Sequence, residues 1–243
     1  MKSVIRCDQI WKKYHKNSAI GIKEFILRGG KKSTPRFDRE WALSDISFQV
    51  KQGEAFGIVG PNGTGKSTLL SLLLKTIIPD KGTIRTKGRI ASLLELGAGF
   101  HGDLTGRQNI SLHGVILGMS ENEIKNKTTR IIEFSEIQTA IDEPLRSYSS
   151  GMIARLGFSI IIHAASDILL IDEVLAVGDA KFQKKCIDRL LNFKTEGGTI
   201  VVVSHNMKEL KSICDLGICL NLGKIAFNGP IKDVISYYQT MDY

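Results

Sequence analysis

What this sequence lacks narrows it first. A membrane-spanning helix needs roughly 18–20 consecutive apolar residues, and the longest apolar runs, such as Phe158 to Ala165, stop far short. Met1 to Arg6 has no apolar core resembling a secretion signal. The chain is therefore expected to stay in the cytosol and to meet a membrane only through a partner. Cysteine is sparse: Cys7, Cys186, Cys214 and Cys219 form no C-x-x-C pair and have no paired histidines nearby. Buried thiols are expected, not a metal site or disulfides. Sustained heptads, internal repeats and low-complexity tracts are absent, and so is an aromatic and basic platform on which bases could stack.

What remains is ordinary globular material: 243 residues, 42% hydrophobic and 24% charged, enough for one or two domains with a real core. The net charge of +8 suits nucleic acid, anionic lipid or a nucleotide equally, so it selects none of them.

The informative stretch is Gly60-Pro61-Asn62-Gly63-Thr64-Gly65-Lys66-Ser67-Thr68. It follows Glu54 to Val59, an apolar run that reads as a buried strand. It precedes Leu69 to Leu74, which reads as the start of a buried helix. A G-x-x-x-x-G-K-[ST] match in this strand–turn–helix context predicts a nucleoside triphosphate site. The three glycines let successive N–H groups face one concavity, and the helix starting near Lys66 aims its positive dipole end there. Lys66 is expected on the β- and γ-phosphates and the Ser67 hydroxyl on Mg²⁺.

In chain order, Ser3 to Trp11 reads as an opening strand. Residues 15–40 hold seven basic residues against three acidic, a net of +4, and read either as a solvated surface insertion or as a basic arm. Trp41 to Val50 and Glu54 to Val59 read as strands joined by a hairpin-like turn, Lys51-Gln52-Gly53. Pro79 to Gly82 is a turn, Thr83 to Arg85 and Arg89 to Leu94 are strands, and Glu95 to Asp103 is a Gly-containing loop. Thr105 to Ile137 carries a helical pattern, with a capping box at Ser120 and Glu123. Met152 to Ala165 is an apolar helix, and Ile168 to Ile171 and Thr199 to Val203 are buried strands. The expected fold is α/β: a P-loop NTPase core of mixed sheet and helices, with an inserted helical subdomain over about 105–165.

Asp172 and Glu173 close the strand at 168–171, where a carboxylate can hold Mg²⁺ (Asp172) and a second can polarise an attacking water as general base (Glu173). His205 also follows a buried strand, so it should reach the ligand-binding edge. Spacing alone leaves it either a γ-phosphate donor or an ordinary loop histidine.

Tyr148-Ser149-Ser150-Gly151-Met152, followed by Arg155, resembles the Leu-Ser-Gly-Gly-Gln signature of ATP-binding cassette (ABC) ATPases. Glu173 follows Gly151 by 22 residues and Asp179 follows Glu173 by six, where the family keeps its catalytic glutamate and D-loop aspartate. His205 matches the switch histidine, and Tyr14 the A-loop aromatic that stacks on adenine. The resemblance covers about residues 3–230, with 231–243 as a C-terminal helix. Three variants, Leu93 to Phe100 around Glu95 with His101 and Leu104 to Ile110, the signature YSSGM and the D-loop Ala176 to Asp179, are similar to ATPase subunits that export O-antigen, capsule and teichoic acid across bacterial cytoplasmic membranes. Glu95 stands where most cassettes have glutamine; it is a stronger cation ligand but cannot donate a hydrogen bond. In that group a carbohydrate-binding domain can follow the cassette, and none is expected here, where the sequence runs to Tyr243.

The resemblance implies ATP and Mg²⁺ as cofactors. It implies a homodimer in which Tyr148 to Met152 of each copy covers the other's ATP. Two copies of a multispanning permease and a lipid-linked glycan cargo complete the expected assembly, with the ATPase on the inner face of the membrane. The Glu95–Asp103 loop is the expected coupling surface. The alternatives are export of another cargo, or a soluble cassette ATPase acting on nucleic acid or ribosomes; nucleic acid is not expected as a partner.

Overall fold

A computed structural model describes residues 2–15, 39–93, 99–164, 166–172 and 178–241. Glu95, Glu173, Ala176 and Val177, together with nearly all of the basic 15–40 stretch, lie outside the described residues.

Two sheets form the base. The strands β1 (Ser3–His15), β2 (Arg39–Lys51) and β4 (Lys81–Thr86) make an antiparallel sheet in the order β2-β1-β4. A six-stranded sheet runs β5-β6-β7-β3-β8-β9, built from β3 (Ala55–Val59), β5 (Ile90–Ser92), β6 (Ile168–Asp172), β7 (Thr199–Val203), β8 (Leu216–Asn221) and β9 (Lys224–Pro230). Its strands are parallel except β9, which pairs antiparallel to β8. The expected hairpin at Lys51-Gln52-Gly53 is corrected: β2 pairs with β1, whereas β3 pairs with β7 and β8 in the other sheet. An unbroken apolar run cannot leave one face wet, so β3 sits in the middle of a covered parallel sheet.

Side-chain alternation shows how it is covered. Phe56 and Ile58 of β3 join Leu170 and Val201 in a core shared with β1, β2 and the helix α1 (Lys66–Leu73). Phe48 of β2 stacks on Phe56 at 5.2 Å, tying the two sheets together. Ala55 and Val59 face the other way, into a core with Leu169, Ile171, Ile200 and Val202. That second core is closed by α4 (Ser150–His163), α5 (Ala180–Thr195), α6 (Met207–Ile213) and α7 (Ile231–Gln239). Along β3, β6, β7 and β8 each side of the sheet takes every second residue.

Between β5 and β6 lie α2 (Gly106–Ile116), α3 (Glu121–Ser135) and α4, which share a third core around Ile110, Ile131, Leu156 and Ile160. The helical pattern over Thr105 to Ile137 is therefore two helices. Gly118 takes φ +76 between them, and the Ser120–Glu123 capping box starts the second: Ser120 N–H donates to Glu123 Oε2 at 2.8 Å. A second capping box, Thr105 with Gln108, starts α2. All four cysteines are buried free thiols, and burial pushes Cys7, Cys186 and Cys214 up to about 12.

Candidate nucleotide-binding site

The strand β3 is buried along its whole length, and its register with β7 and β8 fixes where it ends. The chain then turns through residues 60–65 into α1. Two positions of this turn admit only glycine. At Gly60, with φ +151, a Cβ would sit 2.3 Å from the Leu220 carbonyl oxygen. At Gly65, with φ +98, it would meet the Ala42 carbonyl oxygen at 2.6 Å. Gly65 is also the N-cap of α1, and no side chain caps that helix. The first N–H groups of α1 are thus open to a ligand at the positive end of the dipole. Thr64 Oγ1 donates to the Pro61 carbonyl at 2.9 Å and braces the turn. The Lys66 ammonium donates to the Gly60 and Pro61 carbonyls at 2.7 and 2.8 Å, so it is held at the mouth of the loop.

An open cleft of about 290 Å³ lies over this loop. Tyr14, Asn62, Gly63, Gly65, Lys66, Ser67, Thr68, Asp172 and His205 line it, all named by the sequence, and Ala42 joins them from β2. Gly60, Pro61 and Thr64 shape the loop from behind. The topology explains the convergence. β6, β7 and β3 are parallel neighbours, Asp172 pairs with Val203, and Val203 pairs with Ile58. Asp172, His205 and the loop therefore all emerge at the carboxyl edge of the sheet, where open α/β sheets bind ligands. Tyr14 arrives separately, from the end of β1 opposite Glu40, and is 48% exposed. An aromatic so exposed beside a phosphate loop is available to stack on a base.

The second group of expected residues lies elsewhere. Ser149 is the N-cap of α4 and accepts a hydrogen bond from the Met152 N–H at 3.2 Å. Ser149 and Ser150 are exposed, Gly151 and Met152 half-buried, and none of Tyr148 to Met152 lines the cleft. Tyr148 differs from its signature neighbours in where its side chain goes. The Tyr148 side chain, grouped by the sequence with the ATP contacts, turns inward and its hydroxyl donates to the Ala140 carbonyl. It packs over Gly106, where a Cβ would come 2.4 Å from that hydroxyl, and burial pushes its pKa up.

Asp179 is likewise outside the cleft. It caps α5 by accepting the Phe182 N–H at 2.9 Å, and Arg155 on α4 donates to it at 2.8 Å. Arg155 also donates to Glu136 at 3.2 Å and lies 4.9 Å from the Phe182 ring centre. Glu136 in turn accepts from Lys185 at 2.9 Å. Sequence reasoning missed this network. Its members come from three elements with no shared spacing, and only the nearness of Arg155 to the signature hinted at it.

The cleft's donor set fits Mg²⁺. The Ser67 hydroxyl and the Asp172 carboxylate, both hard oxygen donors, line the same cleft. Among the described residues no cluster of three or more His, Cys, Asp or Glu could hold a metal alone. Among the described residues no helix is long and apolar enough to cross a membrane.

Comparison with known proteins agrees with this geometry. Residues 43–176 match the family model described as ABC transporter. The chain is 46% identical over 242 residues to the O-antigen export system ATP-binding protein RfbB of Klebsiella pneumoniae, covering 98% of both chains. It is 44% identical over 198 residues to the teichoic acids export ATP-binding protein TagH of Bacillus anthracis, covering 82% of this chain and 36% of that one. Among solved structures it resembles the ATP-binding subunit of an ABC transporter with a TM-score of 0.77 at 18% identity, covering 97% of this chain and 93% of the other. It also resembles a dimeric ATP-binding cassette in a post-hydrolysis state with ADP and phosphate, with a TM-score of 0.74 at 19% identity, covering 93% and 98%. On its sequence, its phosphate loop and its fold, this chain belongs to the ABC transporter family.

Proposed function

We propose that this chain is the ATP-hydrolysing subunit of an exporter that moves a lipid-linked polysaccharide, of the O-antigen, capsule or teichoic-acid kind, across the bacterial cytoplasmic membrane. One observation carries the ATPase part: a single cleft gathers Lys66, Ser67, Asp172 and His205 around the open start of α1. The similarity to O-antigen and teichoic-acid export proteins supports the cargo.

In this reading the α1 N–H groups and Lys66 bind the β- and γ-phosphates, and Lys66 exchanges its carbonyl partners for phosphate oxygens. Ser67 and Asp172, with Glu95 as a further carboxylate, would hold Mg²⁺, which when bound neutralises phosphate charge. Glu173, next to Asp172 in sequence, orients and deprotonates the attacking water. His205 donates to the γ-phosphate, and Tyr14 stacks on the adenine. Ser149 to Met152 form a second anion site at the start of a 14-residue helix. Because that site does not line its own chain's cleft, a second copy supplies it, so the working unit is a homodimer. ATP binding closes this dimer and hydrolysis opens it, and two copies of a permease receive that motion, with the ATPase on the inner face of the membrane.

The test is reconstitution of the protein with its permease in proteoliposomes containing a lipid-linked glycan. ATP-dependent movement of the glycan is the expected result. ATP hydrolysis stimulated by the permease with no glycan movement would refute the cargo.

A further inference from the structure

On the side of the six-stranded sheet away from the nucleotide cleft lies a second polar cleft of about 360 Å³. Its floor is Gln52, Ser166 and Gly198, residues that precede β3, β6 and β7, so it opens at the amino edge of these strands. Four nitrogen bases converge on it from three helices: Lys127 and Arg130 from α3, His163 from α4 and Arg189 from α5. Lys127 and Arg130 are three residues apart on a helix and so share a face.

Two carboxylates share this wall and offset part of its charge, leaving one positive charge in excess with His163 neutral. Asp167 accepts the Arg89 backbone N–H at 2.7 Å, and Glu196 accepts from Arg189 with both oxygens at 3.2 Å. Lys127 and Arg130 form no hydrogen bond or ion pair among the described residues. Burial, with Arg89, Arg189 and Arg130 nearby, holds the Lys127 ammonium below its usual value, against the opposing pull of Glu123. His163 is held low by burial and by Arg189, Lys127 and Arg130. Its Nδ1 faces the Ser159 carbonyl oxygen at 2.8 Å, so Nδ1 carries the proton and Nε2 is the atom that would gain one. Like charges gathered in a concave polar site repel one another, and a multiply charged anion is the ligand that relieves them.

We propose that the cleft between α3, α4 and α5 is an anion site that takes a phosphate or diphosphate group, with Lys127, Arg130 and Arg189 as donors. It is separate from the ATP cleft, and nothing in the hydrolytic reading uses these residues. The group can come from a soluble phosphorylated compound or from a lipid headgroup.

Two arms test it on the full chain with the nucleotide cleft saturated with ADP. In the first, His163 is titrated by NMR with and without inorganic pyrophosphate, its signal assigned by loss in His163→Gln. A soluble source predicts that pyrophosphate raises the His163 pKa to or above its ordinary value of 6.5, because Lys127, Arg130 and Arg189 are then offset. In the second arm, vesicles of phosphatidic acid in phosphatidylcholine are sedimented with the protein, against phosphatidylcholine alone. Selective co-sedimentation without a pyrophosphate effect assigns the phosphate to lipid. In either arm Lys127→Gln with Arg130→Gln should weaken binding about tenfold or more. Neither side chain makes a hydrogen bond or ion pair among the described residues, so this double variant should fold. No response in either arm, or an unchanged response in the double variant, overturns the proposal.

Discussion

Arg155 and Asp179 meet at 2.8 Å, joining the helix that begins at the signature segment to the cap of the helix that follows β6. Arg155 is only 20% exposed at its side chain, and its guanidinium lies over the Phe182 ring. The contact therefore ties α4 to Asp179, seven residues past Asp172, which ends β6 and lines the cleft. Arg155→Ala should lower the melting temperature by about 2–4 °C, as expected for a loss near 1 kcal/mol in a chain of this size. Nucleotide affinity should stay unchanged while ATP turnover falls, and Arg155→Lys should recover only part of it, lacking the planar fork. Equal losses of affinity and turnover, measured by calorimetry and phosphate release, would show that Arg155 only supports the fold.

Asp80 gives a pH signature. Its carboxylate accepts the Lys13 N–H at 2.9 Å and pairs with Lys12 at 3.3 Å. The Lys13 N–H first, then Lys12, hold its pKa below the ordinary 3.8. A depressed pKa means that the folded state binds fewer protons than the unfolded one in acid, so stability rises with pH there. The contribution is complete above the ordinary carboxylate value and is lost as pH falls through the folded value. Urea midpoints should be level near neutrality and drop below about pH 4. Asp80→Asn should lower the neutral plateau and flatten that acid limb. A parallel curve of unchanged slope would remove Asp80 from the account.

Lys66→Ala should cut affinity for a non-hydrolysable ATP analogue by about 10-fold to 150-fold, the range for losing charge-assisted hydrogen bonds worth ~1.5–3 kcal/mol. It also leaves the Gly60 and Pro61 carbonyls without the ammonium, so circular dichroism must accompany the calorimetry. Wild-type affinity in a folded variant would contradict the phosphate-loop reading.

These residues also mark where the sequence was legible. The phosphate loop, the strands over 168–172 and 199–203, and the Ser120 capping box are local patterns in which neighbours in sequence are partners in space. Asp172 and His205 could be placed at one edge because both end fully buried runs, and such runs belong in a parallel sheet. The turn at Lys51-Gln52-Gly53 misled because its chemistry is local while strand pairing is not: β2 and β3 separate into different sheets. The break after Ile116 was marked only on its far side, by the Ser120 cap that starts the second helix. Tyr148 sits in a motif whose neighbours face outward, and only Gly106, 42 residues earlier, leaves room for it to turn in. The Arg155 network and the cationic cleft of Lys127, Arg130, His163 and Arg189 are assembled purely by tertiary packing.

The homodimer rests on the separation of two half-sites, and it has a direct measurement. Glu173→Gln removes the proposed base but keeps a side chain of the same size, so ATP should still bind and no longer turn over. With the proposed opening step blocked, the ATP-bound variant should elute as a dimer on size exclusion, and as a monomer with ADP. Adding Ser149→Ala removes both the cap of α4, worth ~1 kcal/mol, and a hydroxyl proposed to meet the partner's γ-phosphate. The double variant should bind ATP as tightly as Glu173→Gln alone yet fail to dimerise. Loss of the cap by itself would appear as a lower melting temperature in both nucleotide states, so melting and elution separate the two roles of Ser149. If the double variant still dimerises with ATP, the exposed start of α4 is not the surface that closes over a partner's nucleotide.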